Sequence, residues 1–395
     1  MKNRITIICF LIMIFGLSIF SLIKKDKHFS ENENRVLSGK PEFEMQAILN
    51  GEYEEKYEDY ISDQFILRDW WIGIKTCCDL AMLKKEVNGV YFCQDDYLIS
   101  AHNQEEYNSD TAWENYKCVK NFINKYKENI NVKLMIVPTS QEVLKDKLPP
   151  YVDAAGEIQL INTIYNDMDS ANVVNVSDTL CTHSNEYIFY RTDHHWTTLG
   201  AYYAYTEYMN SIGEIADDKE RYNIEKVTDK FYGTNSSKVN IRTLSDDIYL
   251  YKLKENIDIS IRYNETEDIR DTLYYEKALD TKDKYSVFLG GNNSFLEIKT
   301  YAENEIDVTD EGYEENKINE VNGGRLLVIK DSYAHSFIPF LIDRFSEIDI
   351  VDLRYYNKSI EALIEERNYT HLLILYNIDN LATDNNLYKL NLPSQ

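Results

Sequence analysis

"GRLLVIKDSYAHSF", residues Gly324–Phe337, is the stretch on which the fold turns. Leu326, Leu327, Val328 and Ile329 read as a short buried strand, and the run breaks at Lys330-Asp331-Ser332. A helix or turn begins near Tyr333. A serine at the carboxyl end of a parallel strand sits where open α/β sheets place their ligands. At the start of the next helical turn, backbone N–H groups and the helix dipole favour an oxyanion. Ser332 is therefore the candidate nucleophile. An Asp-Ser pair also suits a helix N-cap, and Ser336 is a rival nucleophile one turn further on.

Outward from this stretch, further strands are expected at "NVKLMIVPTSQ", "ANVVNVSDTL", "KYSVFLGGNN", "IDIVDLRYY" and "HLLILYNID". Helices are expected over Asp110 to Lys127 and "EIQLINTIYNDMDS", and a hairpin at "NGVYFCQDDYLIS". Three-to-four spacing of Tyr57, Tyr60, Ile61, Phe65, Leu67, Trp71 and Ile74 predicts one or two amphipathic helices before it. Strands alternating with helices argue an α/β sandwich with a mostly parallel sheet. From Glu214 to Asp280 the pattern is ragged, with short β-like runs, and reads as a β-rich insertion.

"YRTDHHWTTLGAYYAY", Tyr190–Tyr205, sets Asp193, His194, His195 and Trp196 side by side in a chain of seven histidines. In an extended segment residues i and i+2 share a face. Asp193 would then reach one ring nitrogen of His195 and leave the other free, while His194 faces away. That is the orienting and basic half of a hydrolase triad. The alternative is a polar turn in which Asp and His cap a helix. Thr197 or Thr198 can cap the helix that follows. "VFLGGNNSF" adds Gly291 and Asn292 as candidate oxyanion donors, a backbone N–H and a side-chain amide. A plain Gly-Asn turn is the competing reading. The loop "FYGTNSSK" around Gly233 is a second candidate.

The 395 residues carry 67 acidic and 42 basic side chains, a net charge of −25. That excludes nucleic acid as the main partner, since such binders need a basic footprint. The 32 tyrosines suit half-buried strands, although exposed ones would stack on sugar rings. Six cysteines, one inside the apolar leader, do not make a disulfide framework, and no C-x-x-C pair supports a metal or redox role. A metal-dependent phosphoesterase would need further aspartate motifs that the sequence lacks. No cofactor and no metal is expected.

Ile5 to Ile23 is an uncharged run of 19 residues with lysines and an arginine at its flanks. It is long enough to cross a bilayer and has no small-x-small cleavage site, so a signal-anchor is expected over residues 1–28, or a secreted product if it is cleaved. Residues 29–395 would form the catalytic domain, with the insertion at about 214–280.

Several motifs recur in one order: "ENR" at Glu33–Arg35, "DQFILRD" at Asp63–Asp69, "VPTS" at Val137–Ser140, Asp193–Trp196, and Lys330–Phe340. With these the chain resembles the DHHW-motif protein family, which is similar to the alginate O-acetylation proteins among the SGNH-hydrolase-like acyltransferases. The resemblance implies a three-layer SGNH-hydrolase-like fold with permuted motif order, and a triad of Ser332, His195 and Asp193. Lys330 stands where ordinary SGNH enzymes have Gly before Asp-Ser, and the family's oxyanion donors do not map cleanly onto this sequence. The expected function is a membrane-anchored, extracytoplasmic O-acetyltransferase acting on a cell-surface or secreted polysaccharide. A membrane-bound O-acyltransferase is the implied acyl-donor partner. An acetylesterase, or a non-catalytic polysaccharide-binding component of an export complex, would use the same scaffold.

Overall fold

A computed structural model describes residues 2–30, 35–154, 156–266, 269–301 and 323–393. Glu33 and Asn34 of the "ENR" motif lie outside the described residues. The chain divides into two compact units, Met1–Asn88 with Ser236–Thr243, and Gly89–Asn235 with Leu244–Gln395.

The first unit opens with α1 (Lys2–Ile23), a helix long and apolar enough to cross a membrane, none of whose Arg4–Ser21 stretch is buried. Two shorter helices follow, α2 (Glu52–Asp63) and α3 (Arg68–Ala81), where the apolar spacing placed them. Asp63 and Gln64 end the first of these and tie the chain together locally. The Asp63 carboxylate accepts from Ser38 N at 2.9 Å, and Gln64 bonds the backbone of Lys27 in both directions.

The second unit begins with a hairpin, β1 (Val90–Phe92) and β2 (Leu98–Ser100). It continues through α4 (Asp110–Tyr126), β3 (Asn131–Val137), α5 (Glu157–Asn166), β4 (Val173–Val174) and α6 (Thr198–Ser211). Ser109 caps α4 and Thr197 caps α6, each accepting a backbone N–H from the first turn. A second hairpin, β5 (Tyr222–Phe231) with β6 (Asp246–Leu253), forms its own two-stranded sheet. The remainder is β7 (Asp258–Tyr263), β8 (Ile269–Arg270), β9 (Phe295–Tyr301), β10 (Arg325–Lys330), β11 (Glu347–Val351), α7 (Ile360–Arg367), β12 (His371–Asn377) and α8 (Ile378–Thr383).

The main sheet is mixed, in the order β8-β7-β9-β11-β10-β12-β3-β4. Strands β11, β10, β12, β3 and β4 run parallel, and β9, β7 and β8 add antiparallel ribs on one edge. The predicted strand in Gly324–Phe337 lies inside the sheet: Val328 pairs with Ile350 on one side and Leu373 on the other. Alternate residues of the parallel strands enter two separate cores. Met135, Val328 and Leu373 pack with the face that carries α6, whereas Leu134, Leu327 and Leu372 pack with the face that carries α4, α5 and α7. This is a sheet between two helical layers, as the unbroken apolar runs require.

Two expectations fail. "KYSVFLGGNN" is not a strand; Lys284–Val287 is a 3₁₀ turn, and Gly290 and Gly291 take left-handed φ of 72° and 85° in a tight bend. The strand is the next segment, β9, and it is antiparallel, so Gly291 and Asn292 lead into the sheet rather than ending a parallel strand. "ANVVNVSDTL" gives only a two-residue strand before turning helical at Ser177. In the region expected to be an insertion, β5 and β6 stand apart while β7 and β8 join the main sheet.

Within the sheet, Asp349 sits on β11 opposite Glu297 of β9. It is fully buried, accepts from the Tyr369 hydroxyl through one oxygen and leaves the other without a partner. Burial pushes its carboxyl up to about 7. The proton is thus held in the folded chain through a range where the unfolded chain has already released it. The associated stability is fully present below the ordinary carboxylate value of about 4 and is lost as pH rises through about 7. Asp349→Asn should raise the melting temperature by several degrees at pH 8 and leave it nearly unchanged below pH 4, read by thermal scans at both values.

Candidate active site

The carboxyl edge of the parallel strands gathers the polar residues of the second unit. Asp331 follows β10 and is fully buried; its Oδ1 accepts from Tyr333 N at 2.9 Å. Its Oδ2 accepts from Asn377 N at 2.8 Å and Asn380 Nδ2 at 2.7 Å, at the end of β12 and on α8. Asp331 is therefore a structural clamp that fixes the Ser332–Ser336 turn against the neighbouring strand end.

Ser332 opens that turn, and its Oγ lies 2.7 Å from His195 Nε2. His195 Nδ1 lies 2.5 Å from Asp193 Oδ1. An ionised carboxylate can only accept, so Nδ1 carries the hydrogen and Nε2 presents its lone pair to the serine hydroxyl. Burial alone would raise the Asp193 carboxyl. The His194 and His195 imidazoles, the bond to His195 and the Thr234 N–H outweigh it and hold that carboxyl well below the usual range.

The loop that presents Asp193 and His195 is not extended. Asp193 Oδ1 also accepts from His195 N at 3.0 Å, a side-chain-to-backbone turn that folds the aspartate onto the histidine two residues later. His194 consequently does not face away: its ring lies 3.9 Å from that of His195, and its Nδ1 is 3.7 Å from Asp193 Oδ1. The loop is closed by bonds from Tyr190 N to His195 O and Thr197 N to Ile188 O. At its base the buried Asp246 of β6 accepts from Arg191 N, Thr192 N, Thr192 Oγ1 and Tyr187 OH, at 2.5–2.8 Å. The buried Trp196 donates to Tyr333 O at 2.9 Å, and Tyr333 OH donates to His194 O. These two bonds lace the His195-bearing loop to the serine-bearing turn.

Gly233 sets the far side of Asp193. Thr234 N donates to Asp193 Oδ2 at 2.8 Å, and Gly233 N donates to Thr192 Oγ1 at 2.9 Å. A Cβ at Gly233 would fall 2.2 Å from Asp193 Cβ, so only glycine permits this approach. The loop weighed as an oxyanion candidate thus holds the Asp193 carboxylate.

No hydrogen bond joins Gly291 or Asn292 to Asp193, His195 or Ser332 among the described residues. Gly291 N donates to Phe288 O at 3.2 Å, which occupies that donor in the bend. Asn292 is exposed and its Oδ1 accepts from Arg354 at 3.4 Å.

Sequence reasoning missed two features. Tyr285 stacks on His195, with ring centroids 4.0 Å apart and planes 13° apart; its hydroxyl donates to Ser332 O at 3.2 Å and lies 3.2 Å from Ser336 Oγ. Beneath the serine, buried Lys330 donates to Asp352 Oδ2 at 2.9 Å and contacts His335 Nε2 at 2.8 Å. Burial, then the Lys330 charge, pushes His335 well below its usual value, so its neutral Nε2 accepts from the ammonium. Arg354 grips the two oxygens of Asp352 at 2.8 and 2.6 Å. Neither feature has a local signal, because Tyr285 meets His195 from 90 residues away and Lys330 is paired by Asp352 of the next strand's end.

Asp193, His194 and His195 also form a cluster whose ligand atoms lie within 4.8 Å of one another. Both Asp193 oxygens and both His195 nitrogens are already engaged, so a cation there would have to break the chain Asp193–His195–Ser332.

The chain from residue 81 to residue 351 matches the model of the DHHW protein family. Among solved structures it is similar to a DHHW family protein from Eubacterium siraeum, with 23% identity, a TM-score of 0.61, and coverage of 78% of this chain and 97% of that one. It is similar as well to PatB1 of Bacillus cereus, solved with a sulfonyl adduct, at 20% identity and a TM-score of 0.58 over 75% of this chain and 96% of that one. A weaker likeness, with a TM-score of 0.44 and 13% identity over 75% of this chain and 93% of the other, is to the O-acetyltransferase domain of Pseudomonas putida AlgJ. No match is found among curated proteins. The first two of these solved structures share the fold, and the family match spans well over half the sequence: the chain belongs to the DHHW family.

Proposed function

We propose that this protein is an O-acetyltransferase of an extracytoplasmic polysaccharide, held at the membrane by residues 1–28 and working through Ser332, His195 and Asp193. The observation that carries the reading is the continuous contact from Asp193 Oδ1 through His195 to Ser332 Oγ, at 2.5 and 2.7 Å. His195 Nε2 takes the serine proton as Oγ attacks an acetyl ester, and Asp193 stabilises the imidazolium. The tetrahedral oxyanion collapses, the donor alcohol leaves with the proton from His195, and an acetyl-serine remains. A sugar hydroxyl, deprotonated by His195, then attacks that ester; the Ser332 Oγ–acetyl bond breaks, Oγ takes the proton back from His195, and the acetyl leaves on the sugar. The Ser332 N–H heads its turn, where no earlier carbonyl of the turn accepts it, and is the first oxyanion donor in this scheme. Gly291 and Asn292 stay the candidates for a further donor, although Gly291 N is engaged by Phe288 O and Asn292 Oδ1 by Arg354. The acyl donor partner is a membrane-bound O-acyltransferase, the 29–395 stretch is the catalytic part, in which β5 and β6 of the expected 214–280 insertion stand apart from the main sheet, and this part lies outside the cytoplasm.

The test uses the full chain in lipid nanodiscs with a chromogenic acetate ester, with and without an oligosaccharide acceptor. Faster release together with an acetylated saccharide by mass supports transfer. Release unaffected by acceptor assigns an acetylesterase, and saccharide binding without release assigns a non-catalytic component. Tyr285 supplies a finer check. Tyr285→Leu removes the ring against His195 and the bond to Ser332 O, and should lower kcat about 100-fold, as small misplacements do. Tyr285→Phe keeps the stacking and should lose about fivefold, in line with one neutral hydrogen bond.

A further inference from the structure

The first unit has almost no apolar core. Within residues 29–88 only Leu37 and Val87 are buried hydrophobic side chains among the described residues. The same stretch exposes twelve large hydrophobics, whereas the roughly fivefold longer stretch 89–393 exposes ten. A soluble surface does not usually concentrate apolar side chains in this way. Several line one groove of about 990 Å³, where Phe29, Phe65, Leu67 and Trp70 meet Lys24 and Lys27. Leu67 is 60% exposed and Trp70 56%. Leu67 also adopts a left-handed φ of 55°, a backbone state that branched residues avoid and that here points an apolar side chain outward.

The position and charge of the groove indicate what covers it. Lys24, its first lining residue, directly follows α1, and its N–H still bonds back to Phe20 O. The groove therefore begins where the apolar helix ends. The first unit holds 14 basic and 14 acidic residues and is neutral, so the remaining 28 basic and 53 acidic residues place the whole −25 in the second unit. A neutral surface with lysines at its rim can lie on an anionic bilayer that would repel the rest of the chain. Tryptophan and phenylalanine beside lysine are the composition of the headgroup boundary, where rings sit among acyl ends and ammonium groups reach phosphate. Asp63 and Asp69 also line the groove, but Lys24, Lys27, Arg68 and Arg242 outnumber them, and the acidic first turn of α2, Glu52, Glu54 and Glu55, does not line it.

We propose that the Phe29–Leu67–Trp70 groove docks into the interfacial zone of the same bilayer that α1 crosses. The docking rests on the anchor reading of α1. It would hold the first unit flat on the membrane, so that the helix is one of two attachments rather than a free tether.

The experiment uses the full chain in liposomes whose lipids carry bromine near the head of the acyl chains, read by tryptophan fluorescence. Bromine quenches an indole that lies at that depth. The wild type should be quenched, and Trp70→Phe should remove most of the quenched signal, while Trp113→Phe, at an exposed site in the second unit, should leave it intact. Leu67→Asp, which keeps Trp70 as the reporter, should reduce the quenching severalfold. Equal quenching in wild type and Trp70→Phe overturns the proposal. So does a Trp70 that is shielded from aqueous acrylamide yet untouched by bromine, which assigns the groove to a protein partner. Failure of the chain to float with liposomes overturns the anchor reading itself and the docking with it; flotation without Trp70 quenching overturns the docking alone.

Discussion

Ser332→Ala should lower acetyl-ester turnover by about 10⁴-fold with the fold intact, and His195→Ala should match it, because members of a triad act as one unit. The alanine at 332 removes only the Oγ contacting His195 Nε2; the turn itself is held by Asp331, whose three bonds come from Tyr333, Asn377 and Asn380. The melting temperature should therefore stay within about 2 °C of wild type, since only one exchangeable hydrogen bond is lost. The double variant should be no slower than either single one. His194→Ala is the contrasting case: its ring leans on His195 but holds no bond to Ser332, so a loss under about tenfold is expected. Turnover of a chromogenic acetate by the four variants decides the matter. A Ser332→Ala protein that keeps its rate, or an aryl sulfonyl fluoride that labels a residue other than Ser332, would remove the serine from the mechanism.

Gly233→Ala should cost about 10³-fold in kcat, although residue 233 contacts no substrate in this scheme. The added methyl would stand 2.2 Å from Asp193 Cβ and 2.3 Å from its Oδ2, far inside contact distance. Asp193 cannot yield without loosening Nδ1 of His195, and the Gly233 backbone cannot retreat without withdrawing the Thr234 N–H from Asp193 Oδ2. Loss of the carboxylate that orients the histidine costs serine hydrolases about 10⁴-fold, and partial displacement should fall somewhat short of that. Far-UV circular dichroism should be unchanged, and KM should move less than kcat, because the damage lies in the base rather than in binding. An equal rise in KM with kcat intact would place the effect in substrate binding and not in Asp193.

The sequence was sufficient where local pattern and local chemistry agree. The apolar runs at Leu326–Ile329, Val132–Val137 and Leu372–Tyr376 could be read as buried strands because a strand covered on both faces admits no polar alternation. Ser332 at the end of one of them, and the pairing of Asp193 with His195, were legible for the same reason: strand ends and i, i+2 neighbours are set by backbone geometry. The residue pairing was reached by the wrong route, since the loop bends through an Asp193 side-chain bond instead of running straight. That bend is closed by Asp246, some fifty residues later, and so has no signature within the motif. Gly-Gly-Asn misled because glycine and asparagine mark a turn without saying on which side of it the strand lies.

The amino-acid sequence by itself determined the alternating α/β pattern, the apolar N-terminal helix, and the three residue types that meet at one edge of the sheet. Tertiary structure alone decided their distances, the placing of Tyr285 against His195 across 90 residues, the Lys330–Asp352–His335 cluster beneath the serine, and the requirement for glycine at 233. The physical reason is reach. Periodicity and capping act over a few residues of backbone, whereas burial lets side chains distant in sequence exchange water for one another, and no local pattern records which ones will meet.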